Sequence, residues 1–395
     1  MSDNKFSFRL AVFHAFFYHK GGGEKFVFSV RNHFNADLFA SAINFKNYSP
    51  EKNDSFSAEL FDENYRLEYL HKDSGHTFFR FAKRLFSFLF STKIKQLLNY
   101  DIVLFSGNVM FVQRRLRRMI NKSSGTRKPK LAMYCHTPPR KLTDQFGNFT
   151  GSAPFGFKTL YKLAGKFVLN QYIKDVKEMD FVGVNSQYTQ KRLFDFTGIS
   201  STVLYGPADV EKFNYISQGD YFLSYARLDD NKRISLILNA FEKMPDKKLI
   251  ICSTGPLQKM VKEKIKKNNL KNISFEGLVS EKRLAELAGN SLAGIYIPVN
   301  EDLGLTQIEI MSAGKPVIGV KEGGLLETVI DGETGMLINA APSVEDLINA
   351  VRSMTPEKAF AMKYACIAQA DKFSAQIFFE KIETELNKLT AYIND

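Results

Sequence analysis

The chain has 395 residues, enough for two domains with separate cores, and its 44% hydrophobic content without a low-complexity tract excludes a disordered or fibrous protein. Cys135, Cys252 and Cys366 are too far apart for a disulfide framework or a zinc site, so a reducing compartment is expected. The formal charge of +12 is unevenly spread, with 13 Lys and Arg between residues 80 and 130 against one acid, Asp101, which calls for an anionic partner.

The N-terminus has no basic stretch followed by an apolar one, and no segment reaches the roughly 18 to 20 apolar residues of a spanning helix. A cytoplasmic chain, or one bound at a membrane surface, is expected.

In chain order, a strand at residues 9–13, the run Lys20-Gly21-Gly22-Gly23-Glu24 and an amphipathic helix through Phe26, Val27 and Val30 form a strand, glycine loop and helix. That geometry cradles phosphate, although a flexible turn reads the same way. Next, residues 78–90 interleave Phe78, Phe79, Phe81, Phe86, Phe88 and Phe90 with Arg80, Lys83 and Arg84, and Arg114-Arg115-Leu116-Arg117-Arg118 follows. Aromatic residues at headgroup depth with a basic face suit an anionic membrane surface. A core-facing helix with a wet basic side is the plainer reading. A nucleic acid would also answer the charge, but no RNA or DNA module is recognisable and none is expected as a partner.

Strands are predicted at 102–105, 131–134 and 181–184 with helices between them, and alternation of that kind predicts a parallel sheet covered on both faces. Asn185 and Ser186 read as helix caps. After the turn chemistry of Tyr205-Gly206-Pro207-Ala208-Asp209 the pattern restarts, with strands at 221–225, 249–251 and 273–275 and helices at 235–242, 259–268 and 281–287. The expected organisation is an α/β protein with one doubly wound domain at 1–209 and a second at 210–372. One helical segment is expected over 344–370, and a C-terminal helical segment at 373–395 is expected to pack back toward the first domain.

Within the second domain the chain reads Glu301-Asp302-Leu303-Gly304-Leu305-Thr306-Gln307-Ile308-Glu309, then Ala313-Gly314-Lys315-Pro316-Val317-Ile318. Apolar residues 294–297 precede it and a β-branched run follows, so two carboxylates and a helix start sit at a strand's carboxyl end inside a βαβ unit. A helix N-terminus favours an anion, Gly304 lets backbone approach it, and a phosphate carrying a polyol suits the place. A solvated helix with an acidic first turn would show the same spacing.

Arg227 with Lys232, Phe275-Glu276-Gly277, and the run from Glu301 to Ile318 resemble the retaining glycosyltransferases of family 4, which have the GT-B fold of two Rossmann-like domains facing across a cleft. The resemblance implies a nucleotide-sugar donor in the carboxy-terminal domain and a glycan acceptor, lipid-linked or an oligosaccharide, in the amino-terminal one. It implies Glu301 on the transferred sugar, Glu309 on the ribose, and Arg227 and Lys232 on the diphosphate. The backbone of Gly304, Leu305 and Thr306 would add to that grip, with Phe275, Gly277 and Leu278 beside the base. Gly22 and Gly23 would meet the diphosphate from the other domain. His136 stands where the family has a sugar-facing histidine, and with Arg140 it would serve the acceptor side.

The run His136-Thr137-Pro138-Pro139-Arg140 is similar to bacterial mannosyltransferases of the WbaZ type that build O-antigen from GDP-mannose. That leans the donor toward GDP-mannose and the setting toward lipopolysaccharide or capsule. Tyr205-Gly206-Pro207 and Ser253-Thr254-Gly255-Pro256 depart from the family's Pro-Asn-Gly and Gly-x-Gly-Pro turns. The resemblance implies retention, by front-face attack or otherwise, with cationic side chains in place of a metal and no cofactor. A UDP-sugar enzyme of the same fold and a non-catalytic nucleotide-sugar sensor stand as alternatives. An oxidoreductase would want a Gly-x-Gly-x-x-Gly turn that Gly21-Gly22-Gly23 does not supply.

Overall fold

The computed structural model describes residues 6–18, 20–52, 54–73, 90–107, 109, 111–124, 128–144, 146–147 and 158–391. The chain divides into two compact units, Met1–Leu204 with Phe379–Asp395, and Tyr205–Phe378.

The first unit holds a parallel sheet in the order β3-β2-β1-β4-β5-β6-β7, formed by β1 (Leu10–Phe17), β2 (Asp37–Asn44), β3 (Leu67–Asp73), β4 (Ile102–Ser106), β5 (Lys130–Cys135), β6 (Phe181–Val184) and β7 (Thr202–Val203). Every residue of β4 is buried, as apolar runs with helices on both faces must be. The helices are α1 (Gly22–Phe34), α2 (Ser55–Leu60), α3 (Val112–Lys122), α4 (Lys158–Val176) and α5 (Gln187–Thr197). Ser186 caps α5 by accepting from the Thr189 N–H at 2.9 Å, so the cap expected at Asn185 and Ser186 is Ser186 alone.

The second unit has its own parallel sheet, β10-β9-β8-β11-β12-β13, formed by β8 (Tyr221–Ser224), β9 (Lys248–Cys252), β10 (Ile273–Gly277), β11 (Ala293–Ile295), β12 (Val317–Val320) and β13 (Gly335–Ile338). Its helices are α6 (Ile234–Glu242), α7 (Gln258–Lys267), α8 (Glu281–Gly289), α9 (Thr306–Ser312), α10 (Leu325–Thr328), α11 (Val344–Ser353), α12 (Pro356–Ala361) and α13 (Lys363–Asp371). A shared core of Phe222, Phe241, Ile295, Ile308, Val317 and Val351 lies between sheet and helices. Both sheets run outward from a central pair, β1 beside β4 and β8 beside β11, and the strand order reverses there. Ligands of doubly wound sheets bind outside the carboxyl ends of the strands at that reversal.

Several expectations need correcting. The single helix over 344–370 is three, because Thr355 caps a new helix with Pro356 in its first turn. The boundary falls at Leu204 and Tyr205 rather than near 210. No correction falls on the C-terminal segment expected to pack back toward the first domain: it is α14 (Ala375–Ala391), which belongs to the first unit from Phe379 onward, where Phe379 stacks on His33 at 3.8 Å and Glu383 pairs with His33 Nε2 at 2.5 Å. The basic aromatic stretch lies outside the described residues up to Leu89, while Phe90 is exposed. Arg114 and Arg117 are internal ties, to Asp175 at 2.7 Å and to Asp180 at 2.8 Å, and so do not form a free basic face. Among the described residues no helix is long and apolar enough to cross a membrane.

Candidate active site

The carboxyl end of β8 leads through Arg227 into a tight turn at Asp230–Lys232, which closes when Asp229 accepts from the Lys232 N–H at 3.2 Å. That turn aims Lys232 at the loop following β11. Its Nζ donates to the Tyr296 hydroxyl oxygen at 2.9 Å and to Glu301 Oε2 at 2.5 Å. Burial works against the ammonium. The Tyr296 and Glu301 partners outweigh it and hold the Lys232 pKa above the ordinary lysine range, so the side chain is charged at neutral pH.

The two loops are fastened to each other as well as to the cation. The Val299 N–H donates to the Asn231 carbonyl at 2.7 Å, and Arg233 donates to the Ile297 and Pro298 carbonyls at 3.0 and 2.8 Å and pairs with Glu322 at 3.2 Å. A third turn holds Glu301 from behind. The Gly324 N–H donates to the Glu301 carbonyl at 2.8 Å, and Gly323, at φ +61, lies so close that a Cβ would stand 2.3 Å from that same oxygen.

Glu309 lies on α9, its Oε2 2.8 Å from the Tyr225 hydroxyl at the end of β8, which also reaches the Thr306 carbonyl at 2.9 Å. Burial, and then the Glu309 charge, push the Tyr225 phenol pKa far up, so it remains a proton donor. Gly304 enters this helix at φ +78, where a Cβ would meet Gln307 Oε1 at 2.5 Å, and Leu305 and Thr306 start the helix without a side-chain cap. Their N–H groups are those that an uncapped helix start leaves without an intrahelical partner. Lys232, Glu301 and Glu309 thus share the β8 and β11 ends.

Other expected residues stand further out. Arg227 is more than half exposed, with Nε 3.7 Å from Asp229 Oδ2. Phe275 is partly buried against the core with the Lys262 ammonium 5.5 Å from its ring centroid, so it is partly a core aromatic. The β9–β10 register breaks between Phe275 and Gly277, which has φ +69, and Leu278 is exposed. Beside Lys262 lies an open depression of about 540 Å³ lined also by Gly255, Pro256, Gln258, Lys259 and Glu263.

In the first unit, Gly22 and Gly23 are not a loop. They open α1, with Gly21 as its N-cap and the Gly21 N–H donating to Glu24 Oε2 at 3.1 Å. Acid three residues after the cap closes the helix end, a local signal that three glycines in a row obscure. Arg140 begins a short turn, Arg140–Leu142.

His136, half-buried after β5, lies at the end of a polar chain. His14 Nδ1 is 3.3 Å from Ser106 Oγ, which is 2.8 Å from His136 Nε2. Phe26 and Tyr134 wall the His136 ring edge-on at 4.8 and 5.0 Å. Burial lowers the His14 pKa to about 4, and burial with His14 alongside lowers that of His136 to about 3, so both rings are neutral at pH 7. In the unfolded chain the same rings take up protons near pH 6.5. The stability they supply is therefore complete above pH 6.5 and drains away as pH falls toward 4 and below. For His14, which is 6% exposed, the expected slope in that window is about 1.4 kcal/mol per pH unit. Urea unfolding at pH 7, 6 and 5 reads it, and His14→Asn should flatten the slope; an unchanged slope contradicts the assignment.

Tyr225, Tyr296, Arg233, Gly323, Ser106 and His14 were not expected from the sequence. The Gly323-Gly324 pair and an arginine next to Lys232 were the available signals.

Comparisons with known proteins follow this geometry. Residues 208–372 match the family model for glycosyl transferases group 1. The chain is 28% identical over 310 residues to the alpha-1,3/1,6-mannosyltransferase ALG2 of Dictyostelium discoideum, over 66% of this chain and 70% of that one. It is 25% identical over 301 residues to human ALG2, over 67% and 69% of the two chains. Among solved structures, Anabaena HepE in complex with UDP and glucose superposes with a TM-score of 0.70 at 16% identity, covering 95% of this chain and 99% of that one. Sucrose-phosphate synthase from Thermosynechococcus elongatus gives 0.74, also at 16%, covering 97% and 100%. These neighbours share the GT-B fold.

Proposed function

We propose, for a chain that is a glycosyltransferase with the GT-B fold and a group 1 domain at residues 208–372, that it transfers mannose from GDP-mannose, with retention, to a lipid-linked glycan in surface-polysaccharide assembly. The observation that carries the reading is the charged pair at the sheet reversal: Lys232 bonded to Glu301, with Glu309 held separately by Tyr225. The mannosyltransferase relatives support mannose as the transferred sugar.

Breaking the bond from the anomeric carbon to the phosphate oxygen leaves positive charge on the sugar and negative charge on the diphosphate. Lys232, with Arg227 and the Leu305 and Thr306 amides, stabilises the departing diphosphate, so neither a metal nor a cofactor enters the step. Glu301 holds sugar hydroxyls and Glu309 the ribose. The acceptor hydroxyl attacks the anomeric carbon from the face the phosphate leaves and gives its proton to a phosphate oxygen. No enzymic nucleophile is needed. His136 and Arg140 orient the sugar and acceptor, and Phe275, Gly277 and Leu278 flank the base.

Thermal denaturation with GDP, UDP, ADP and their sugars tests the donor. A ligand at a hundred times its Kd adds about 2.7 kcal/mol to the unit that binds it, so GDP-mannose should raise the transition clearly above UDP-glucose. The reverse order replaces GDP-mannose with a UDP-sugar, and no shift with any of them removes the donor assignment.

A further inference from the structure

The loop that carries Glu301 is joined to the helix that carries Glu309 by a closed ring of hydrogen bonds. Gln307 on α9 and Thr328 at the end of α10 are both 0% exposed. Gln307 Nε2 donates to the Leu303 carbonyl at 2.7 Å and to Thr328 Oγ1 at 3.0 Å. The Thr328 hydroxyl donates to the Gly324 carbonyl at 3.1 Å, and the Gly324 N–H donates to the Glu301 carbonyl at 2.8 Å. The backbone from Glu301 to Leu303 closes the ring.

Every proton in it has one place. The Leu303 and Gly324 carbonyls only accept, so the amide turns its nitrogen to the first and the hydroxyl its hydrogen to the second, which leaves the hydroxyl oxygen to accept from the amide. A reversed amide would set oxygen against oxygen at 2.7 Å. The ring is also anchored from outside, since Gln369 of α13, 6% exposed, donates to the Thr328 carbonyl at 3.2 Å.

Packing alone does not account for an amide here. Gln307 Oε1 is buried and has no hydrogen-bond partner among the described residues, a cost that an apolar side chain of the same length would avoid. Such a side chain could fill the place but could not hold Leu303 and α10 at once.

We propose that Gln307 and Thr328 are positioning residues that fix the span between the Glu301 and Glu309 carboxylates, and through it the register of a nucleoside diphosphate sugar in the site. The inference rests on the reading of Glu301 on the transferred sugar and Glu309 on the ribose. Those two parts of the donor lie on opposite sides of the bond that breaks, so an error in the span falls on the reacting geometry.

Donor hydrolysis tests this without an acceptor, read as release of nucleoside diphosphate from the sugar nucleotide that gives the largest thermal shift. Thr328→Val keeps the shape of the side chain and removes the hydroxyl, and Gln307→Met keeps its length and removes the amide. Each should lower the hydrolysis kcat on the order of ten- to a hundredfold, while the thermal shift given by the nucleoside diphosphate alone stays as in the parent. Thr328→Ser, which keeps the hydroxyl, should restore the rate. In a Glu301→Ala background Thr328→Val should cost no further rate, because the side chain it acts through is gone. A parent-like rate in both single variants overturns the proposal, as does Thr328→Ser as slow as Thr328→Val, or a full additional loss in the double variant. So does a nucleoside diphosphate shift lost together with the rate, which marks a general loosening of the unit. Glu301→Ala that itself hydrolyses the donor at the parent rate removes the underlying reading, and the proposal with it.

Discussion

Lys232→Ala lowers kcat by a factor on the order of 10² to 10³, the usual cost of removing one preorganised contact to developing charge. On the proposed role of Lys232, the effect falls on kcat more than on KM, because the further negative charge on the already anionic diphosphate develops only as the bond breaks. The fold should persist. Lys232 and Glu301 are only 19 and 23% exposed, so truncating Lys232 leaves the Glu301 charge partly buried without its partner and lowers stability as well as rate. Steady-state rates with far-UV dichroism as a control measure both halves. Glu301→Ala should show a loss of similar size, and a parent-like rate in either variant removes the site assignment.

Gly323→Ala is expected to be nearly as damaging although residue 323 carries no chemistry. At φ +61 any Cβ costs about 1 to 2 kcal/mol, and here it also stands 2.3 Å from the Glu301 carbonyl. Backbone must move, and the backbone in question carries Glu301. A displacement of about 1 Å is enough for a loss on the order of a hundredfold in kcat. Gly332→Ala supplies the comparison, since Gly332 has φ +85 with nothing within 4 Å of its notional Cβ. It should lose stability and keep its rate. Equal rates in the two variants would mean that the 323 turn does not position Glu301.

What could be read in the sequence follows from burial. Strands such as β4, β5 and β12 are uninterrupted apolar runs because helices cover both faces, and they stand out. β2 and β3 do not. β2 reads Asp-Leu-Phe-Ala-Ser-Ala-Ile-Asn, with small residues in place of β-branched ones, and β3 lies at the sheet edge with Glu68, His71, Lys72 and Asp73. Glu301 and Glu309 could be picked out as carboxylates on either side of a glycine turn and a helix start, whereas Lys232 is marked only by the family resemblance. Tyr225 and Tyr296 could not, since an aromatic at a strand end reads as core, and Tyr296 is indeed buried. His14 and Ser106 lie inside apolar strands far apart in the chain. Only the β1–β4 register, which sets them opposite each other, makes them neighbours.

The stacking of Phe379 on His33 has a consequence in time. Residues up to Leu204 leave the ribosome first, yet the segment that completes their unit follows the whole of Tyr205–Phe378. At about 5 to 20 residues per second that is a delay on the order of ten to thirty seconds. Through it the His33 and Phe34 end of α1 waits without Phe379, so the unit begun first is finished last, and only after its neighbour has been made.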